Sequence, residues 1–253
     1  MREQFQTSQH RAPERWLNIL PLYHAFGQMF NILIACKLGV PNYLMEKFQY
    51  EHFLAHVQKH KITHITTAPP ILVMLSKRPE TLRYDISSLR DIVCGGAPLS
   101  KELQNDVSTR FNIHVKQTWG GTELTCSATM TPGGMRDDGG SAGALLPNID
   151  CKLLDDEGNE VGVGLPGEAY MKGPNICLGY WQNESATADA ISPDGFYRTG
   201  DVAIRDRQGM FYVVDRKKEM IKVSGFQVAP AELEARLLEN EHIADASVIG
   251  VKR

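Results

Sequence analysis

Apolar positions follow a short-run rhythm in the first half of the chain, with helical spacing between the runs. Trp16 to Leu22, broken at Pro21, reads as a buried strand. Phe26 to Leu38 carries apolar residues at helical spacing, Tyr43 to Met45 is short enough for a strand, and Tyr50 to His60 predicts a helix with Phe53, Leu54 and Val57 inward. The β-branched run Ile62 to Thr67 predicts a strand stopped by Pro69 and Pro70, and Ile71 to Ser76 resumes as a helix. Leu89 to Cys94 predicts a strand opening onto Gly95-Gly96-Ala97-Pro98, then a helix capped by Ser100 and running to about Phe111. His114 to Trp119 is the next strand.

Beyond Trp119 the pattern loosens. The chain is Gly-rich and loop-like to about Gly167, with short strands such as Ile149 to Leu154. Short antiparallel strands and turns follow, including Met210 to Asp215. A helix starts near Pro230 ("PAELEARLLEN"), and Ala246 to Val251 reads as a closing strand. Strand and helix alternate in the first half, which predicts an α/β fold with a mainly parallel sheet.

Composition narrows the function classes. The 253 residues carry a formal net charge of −3, so there is no electrostatic footprint for nucleic acid. With 42% apolar and 23% charged residues the chain has the make-up of a soluble globular protein. The most membrane-like stretch, Trp16 to Val40, is interrupted by Pro21, His24, Gln28, Asn31 and Lys37, and reads as a buried helix. The N-terminus, "MREQFQTSQHRAPER", has no apolar core of a secretory signal. Five scattered cysteines with no C-x-x-C pair fit a reducing compartment.

Four constellations could carry chemistry. In "VKQTWGGTEL" a strand runs into Gly120-Gly121 and then presents Thr122 and Glu123. Such a turn lets backbone amides approach an anion, with a hydroxyl for a phosphate and a carboxylate for Mg²⁺. A structural Gly-Gly turn is the plain alternative. "CGGAPLS" (Cys94 to Ser100) repeats the form, as loop packing or as a backbone platform for a ring at the carboxyl ends of the strands. "GFYRTGD" places Asp201 after a Thr-Gly turn, either as a turn cap or as an acceptor for vicinal ribose hydroxyls. His52, His56, His60 and His64 recur every four residues. The buried face is already supplied by Phe53, Leu54 and Val57, and no carboxylate or Cys completes the set, so a metal site is disfavoured. The stretch "DRKKEMIKVSGFQVAP" (Asp215 to Pro230) reads alone as a solvated charged face or as an anion grip.

Taken in order, "LPLYHAFG", "GGAPLS", "QTWGGTE", "GFYRTGD" and "DRKKEMIKVSGFQVAPAELE" resemble the adenylate-forming acyl-CoA synthetases, in particular 4-coumarate–CoA ligase-like enzymes, from about Trp16 to Arg253. The resemblance implies an acid–thiol ligase. It would activate a carboxylic acid with Mg-ATP to acyl-AMP and pyrophosphate, then pass the acyl group to coenzyme A. It implies mixed sheets with helices and a β-rich subdomain from the rear of a large domain (16–217, after a polar segment 1–15), then the start of a small α+β lid domain (218–253). By motif, Thr122 resembles the phosphate-binding Thr and Glu123 the Mg²⁺-linked Glu. Gly96, Gln117 and Thr118 would line the adenine and acyl region, and Asp201 and Arg216 resemble ribose ligands. Lys218 falls at the hinge of the lid, Lys222 and Gln227 resemble adenylate contacts, and Lys47 and Gly225 resemble coenzyme A contacts. His24, Phe26, Phe30 and Gly95 fall on the acyl side.

The same resemblance leaves two motifs unmatched: a Gly/Ser/Thr-rich phosphate loop expected upstream of His24, and a catalytic Lys expected beyond Arg253. It therefore implies a piece of the large domain without its upstream half, with little or no adenylation by these residues alone. Phe26 and Phe30 imply an apolar lining. A hydroxylated ring would lose a buried partner there at about 1–3 kcal/mol, so an apolar fatty or aryl acid is expected. A cytoplasmic or peroxisomal location follows from the lack of a visible signal. The alternatives are a catalytically dead paralogue that binds nucleotide or acyl ligand, an amino-acid adenylation domain, and a luciferase-like oxygenase.

Overall fold

The apolar run at Trp16 becomes a three-residue buried strand, β1 (Trp16–Asn18), ended by a local turn in which Asn18 Oδ1 accepts from the Leu20 amide at 3.0 Å. The computed structural model describes residues 13–223, 226–238, 240, 243 and 246–251. The chain divides into two compact units, Met1–Gly143 and Ala144–Arg253.

In the first unit β1 is joined by β2 (Asn42–Leu44), β3 (His64–Thr67), β4 (Asp91–Cys94), β5 (His114–Trp119) and β6 (Thr129–Met130), in the spatial order β2-β1-β3-β4-β5-β6. The first five are parallel, with Leu17 beside Ile65, Ile65 beside Ile92 and Cys94 beside Gln117; β6 runs antiparallel to β5. All five parallel strands thus end on one edge of the sheet. Helices α3 (Tyr50–His60), α4 (Pro69–Lys77) and α5 (Lys101–Phe111) make the crossovers. Phe53, Leu54 and Val57 recur on one face of α3 and are fully buried against Leu17, Ile65 and Ile92 of the sheet. Each such side chain contributes about 1.5–3 kcal/mol. Ser100 caps α5 as its sequence predicts, accepting from the Leu103 amide at 3.2 Å, and the helix ends at Asn112 in the left-handed conformation.

The stretch expected to be one helix, Phe26 to Leu38, is three: α1 (Ala25–Gly27), a π-helix over Gln28–Ile34, and α2 (Ala35–Leu38). The Ala35 amide reaches back to the Phe30 carbonyl, five residues away. The Asn31 carbonyl is claimed from outside, by Asn42 Nδ2 at 2.6 Å, which diverts the usual four-residue ladder.

The second unit begins with β7 (Ala144–Leu145) and holds an antiparallel sheet of β8 (Asp150–Leu154), β9 (Pro166–Lys172), β10 (Tyr197–Arg205) and β11 (Phe211–Arg216), paired in that order. A short α6 (Glu184–Ala190) precedes β10, and the hairpin β12 (Ile221–Val223) with β13 (Phe226–Val228) leads to α7 (Pro230–Leu238). The strand expected at Ala246 to Val251 does not form. Ile249 and Val251 are largely exposed, the Val248 amide is taken by Glu234 Oε1 at 2.9 Å, and no described strand pairs with the segment. Among the described residues no helix is long and apolar enough to cross a membrane.

Candidate functional site

Two glycine turns leave the carboxyl ends of neighbouring strands. β4 runs into Gly95-Gly96 and β5 into Gly120-Gly121, side by side because Cys94 pairs with Gln117. Gly95 is glycine for a packing reason: a Cβ there would sit 2.8 Å from Thr118 Cγ2, 2.9 Å from the Thr118 carbonyl oxygen and 3.6 Å from Phe26 Cε1. At Gly96 the backbone turns at φ +83° with open space where a side chain would point. Gly120 lets its turn close on itself, since a Cβ would lie 2.1 Å from the Cys126 carbonyl oxygen. Gly121 is open on that side, with only Glu123 Oε2 at 3.6 Å from the Cβ position.

A single 3₁₀ turn over Thr122–Leu124 follows, pinned by buried Leu124. It leaves Thr122 exposed and Glu123 half-buried. Exposed Gly96, half-buried Gly121, a hydroxyl and a carboxylate therefore share one edge of the unit. That donor set suits a phosphate, and the Glu123 carboxylate is the hard oxygen ligand that Mg²⁺ favours beside one.

Gln117 and Thr118, expected to line the ligand region, are 8% exposed and largely committed to the protein. Gln117 Nε2 donates to Gln104 Oε1 at 2.6 Å, while Thr118 Oγ1 donates to the Thr129 carbonyl at 2.8 Å and pairs with Ser127 Oγ at 2.9 Å. Their polar atoms brace the two strand ends. Cys94, at the tip of β4, is no nucleophile, because burial pushes its thiol up to about 12.

Of the residues expected on the acyl side, His24 is exposed and caps α1, its Nδ1 accepting from the Phe26 amide at 3.1 Å, so in the neutral ring the proton sits on Nε2. Phe26 and Phe30 are buried and meet edge to face at 5.2 Å. Lys47 is exposed in the turn after β2. His52, His56 and His60 lie off the buried face of α3, with the His56 and His60 rings stacked, and no metal-binding cluster exists among the described residues. His64 instead meets the buried carboxylate of Asp91 at 3.0 Å, at the opposite end of the strands; Asp91 also holds Lys116 at 2.6 Å. Burial alone would raise the Asp91 pKa, but His64 and Lys116 outweigh it and hold the carboxyl well below the usual carboxylate range.

In the second unit the "RTGD" sequence is a bulge in β10. The Asp201 amide donates to Thr199 Oγ1 at 3.0 Å, Thr199 Oγ1 donates to the Ala169 carbonyl at 2.8 Å, and Gly200 turns at φ +75°. Such a bulge re-aims a side chain. Here the Asp201 carboxylate meets the guanidinium of Arg216, its register partner on β11, at 3.2 Å.

The basic run after it divides by role. Lys217 is bound to Glu168 at 2.9 Å and Asp156 at 2.8 Å, while Arg198 forks onto the same buried Glu168 at 2.6 and 3.0 Å. Burial pushes the Glu168 pKa up, and the Arg198 and Lys217 contacts more than reverse it. Lys218 follows in an exposed turn. Lys222 stands opposite Gln227 in the β12–β13 hairpin, and Gly225 lies outside the described residues.

Four structural residues escaped the sequence reading. Gln104 occupies the buried face of α5 with Val107 and had a signal, its helical spacing. Asp215 accepts from the Ala231 amide at 3.1 Å and so caps α7, which has no local Ser, Thr, Asp or Asn before Pro230. Glu168 and Asn31 had no local signal.

Residues 1–181 match the family described as AMP-binding enzyme. The chain is 41% identical over 251 residues to a probable 4-coumarate–CoA ligase 3 of Dictyostelium discoideum, covering 98% of this chain and 45% of that protein. It is 39% identical over 238 residues to the phenylacetyl-CoA ligase epaB of Aspergillus niger, covering 92% of this chain and 44% of that protein. Among solved structures it superposes on the o-succinylbenzoate CoA synthetase of Bacillus subtilis in complex with its acyl-adenylate intermediate. The TM-score is 0.83 at 28% identity, over 99% of this chain and 51% of that one. This chain thus spans about half the length of the relatives it matches. The family match covers more than half of the chain and the fold is shared: the chain belongs to the AMP-binding enzyme family.

Proposed function

We propose that these residues serve an acid–thiol ligase that converts a carboxylic acid and Mg-ATP to acyl-AMP and pyrophosphate, and then acyl-AMP and coenzyme A to acyl-CoA and AMP. The observation that carries this reading is the pair of adjacent strand-end glycine turns, one of them followed by Thr122 and Glu123, in a chain of the AMP-binding family.

The family motifs give each residue a task. The amides around Gly96 and Gly121 and the Thr122 hydroxyl bind phosphate oxygens. Glu123 would hold Mg²⁺, which supplies charge neutralisation at the phosphates. The acid's carboxylate oxygen bonds to the α-phosphorus and pyrophosphate leaves. The coenzyme A thiolate then attacks the acyl carbon and AMP leaves. Preorganised donors stabilise the charge on the α-phosphate without reorganising. Asp201 accepts from the vicinal hydroxyls of a ribose, with Arg216 holding its carboxylate, and Lys222 and Gln227 meet the adenylate. Lys218 is the pivot of a lid, in the exposed turn just after anchored Lys217. Lys47 and Gly225 meet coenzyme A. The buried Phe26–Phe30 pair beside Gly95 favours an apolar acid, fatty or aryl.

The test is acid-dependent exchange of labelled pyrophosphate into ATP, in a polypeptide that carries these residues together with a Gly/Ser/Thr-rich phosphate loop. Exchange with apolar acids that Glu123→Gln lowers by about 10²-fold or more supports the reading. Nucleotide binding with no exchange for any acid would favour a protein that only binds.

A further inference from the structure

Asn31 is the one polar side chain among the buried residues of the π-helix. A buried amide costs free energy unless it is hydrogen-bonded, so its partners define a geometry. Its Nδ2 donates to Thr66 Oγ1 at 2.9 Å, and both residues are buried, at 6% and 4% exposure. Thr66 lies near the carboxyl end of β3, next to Asn18 of β1. The Asn31 carbonyl meanwhile accepts from Asn42 Nδ2 of β2. One residue is therefore tied to two strands of the sheet, by its side chain and by its backbone.

Two ties at one residue fix the rotation of a helix about its own axis. In this helix the residue before Asn31 is Phe30, and Phe26 lies about one π-turn earlier. Those two rings pack edge to face, and Phe26 Cε1 lies 3.6 Å from where a Cβ on Gly95 would stand. A turn of the helix would carry both rings across the mouth of the β4 glycine turn. A purely apolar side chain at position 31 would pack there with no such angular demand.

We propose that the Asn31–Thr66 hydrogen bond, with Asn42 on the Asn31 carbonyl, is a positioning device that holds the Phe26–Phe30 ring pair and thereby sets which acyl groups fit beside Gly95. The proposal rests on the adenylate-forming reading above. Asn31 and Thr66 act through the rings and do not touch the acid.

The probe is a pair of nonhydrolysable acyl-sulfamoyl adenosines, one with a flexible octanoyl chain and one with a rigid cinnamoyl group, titrated by calorimetry into a polypeptide that carries these residues together with a Gly/Ser/Thr-rich phosphate loop, with AMP as reference. Thr66→Val keeps the shape of Thr66 and removes its hydroxyl; Thr66→Ser keeps the hydroxyl. Thr66→Val is expected to change the octanoyl-to-cinnamoyl affinity ratio by about tenfold, a size typical of pocket-shape discrimination, with AMP affinity unchanged. Thr66→Ser is expected to keep the original ratio. Asn42→Ala removes the second tie at a less buried position and is expected to shift the ratio in the same direction, which covers the case of a Thr66→Val chain that does not fold. An unaltered ratio in a folded Thr66→Val chain, or in Asn42→Ala if Thr66→Val does not fold, overturns the positioning role while leaving the adenylate reading intact. Failure of the unsubstituted polypeptide to bind either analogue overturns the adenylate reading, and this inference with it.

Discussion

The side-chain amide of Gln117 donates to the side-chain oxygen of Gln104 at 2.6 Å, joining the strand that carries the Gly120 turn to the buried face of α5. Gln104 in turn donates to the backbone carbonyl of Asp137, whose carboxylate accepts from the amides of Gly139 at 2.9 Å and Ser141 at 2.7 Å. A buried amide relay thus fastens a Gly-rich loop to the end of β5. Gln104→Leu is expected to leave Gln117 Nε2 and the Asp137 carbonyl short of a partner. The cost is about 1–3 kcal/mol for each group left unsatisfied, read as a lower urea midpoint with an unchanged slope. An unchanged midpoint would remove the relay from the account.

Asp91 makes a second prediction, one about pH. Its folded pKa lies below the ordinary value, so its contribution to stability is present above about pH 4 and is lost as pH falls further. His64, Lys116 and His114 are the groups that face it. Asp91→Asn is expected to flatten the acid limb of the stability–pH curve. At pH 7 it is expected to cost about 3–5 kcal/mol, because Lys116 loses its buried partner. A parallel acid limb in the variant would contradict this.

Legibility in the sequence followed the physics of each signal. Helix α3 and the strands from β3 to β5 were readable because burial imposes a period, and Phe53, Leu54 and Val57 show it directly. The glycine turns were readable as turns because paired glycines stop the apolar runs Leu89 to Cys94 and His114 to Trp119. The strand expected at Ala246 to Val251 misled, since a short apolar run says nothing about whether a ladder partner exists. The π-helix was hidden because its cause is Asn42, a residue eleven positions from the carbonyl it claims. Lys217 was hidden for the same reason: its partners, Asp156 and Glu168, are remote in sequence, so a run of like charges concealed a structural ion pair beside candidate ligands.

Asp201 and Arg216 face each other across β10 and β11, and the bulge at Gly200 aims the carboxylate. Asp201→Ala is expected to weaken AMP binding by at least about tenfold, or roughly 1.4 kcal/mol, measured by calorimetry. Equal affinity in the variant would remove Asp201 from the ribose.

Lys218 follows a residue tied down by two carboxylates, and α7 is capped from before the turn by Asp215. In a polypeptide that performs both half-reactions, Lys218→Pro is expected to spare pyrophosphate exchange and suppress thioester formation, since proline fixes φ near −65° and blocks a large backbone rotation. Equal loss of both half-reactions would make Lys218 an ordinary ligand.

In the proposed reaction the two strand-end glycine turns hold the adenylate. Hydrogen exchange read by mass spectrometry, on the 253-residue chain with and without an octanoyl-sulfamoyl adenosine, probes both turns at once. Slowed exchange is expected in the peptides spanning Gly95–Gly96 and Gly120–Glu123, with no change at the far end of the sheet around His64 and Asp91. Saturable binding that leaves both glycine turns exchanging at their free rates would contradict it.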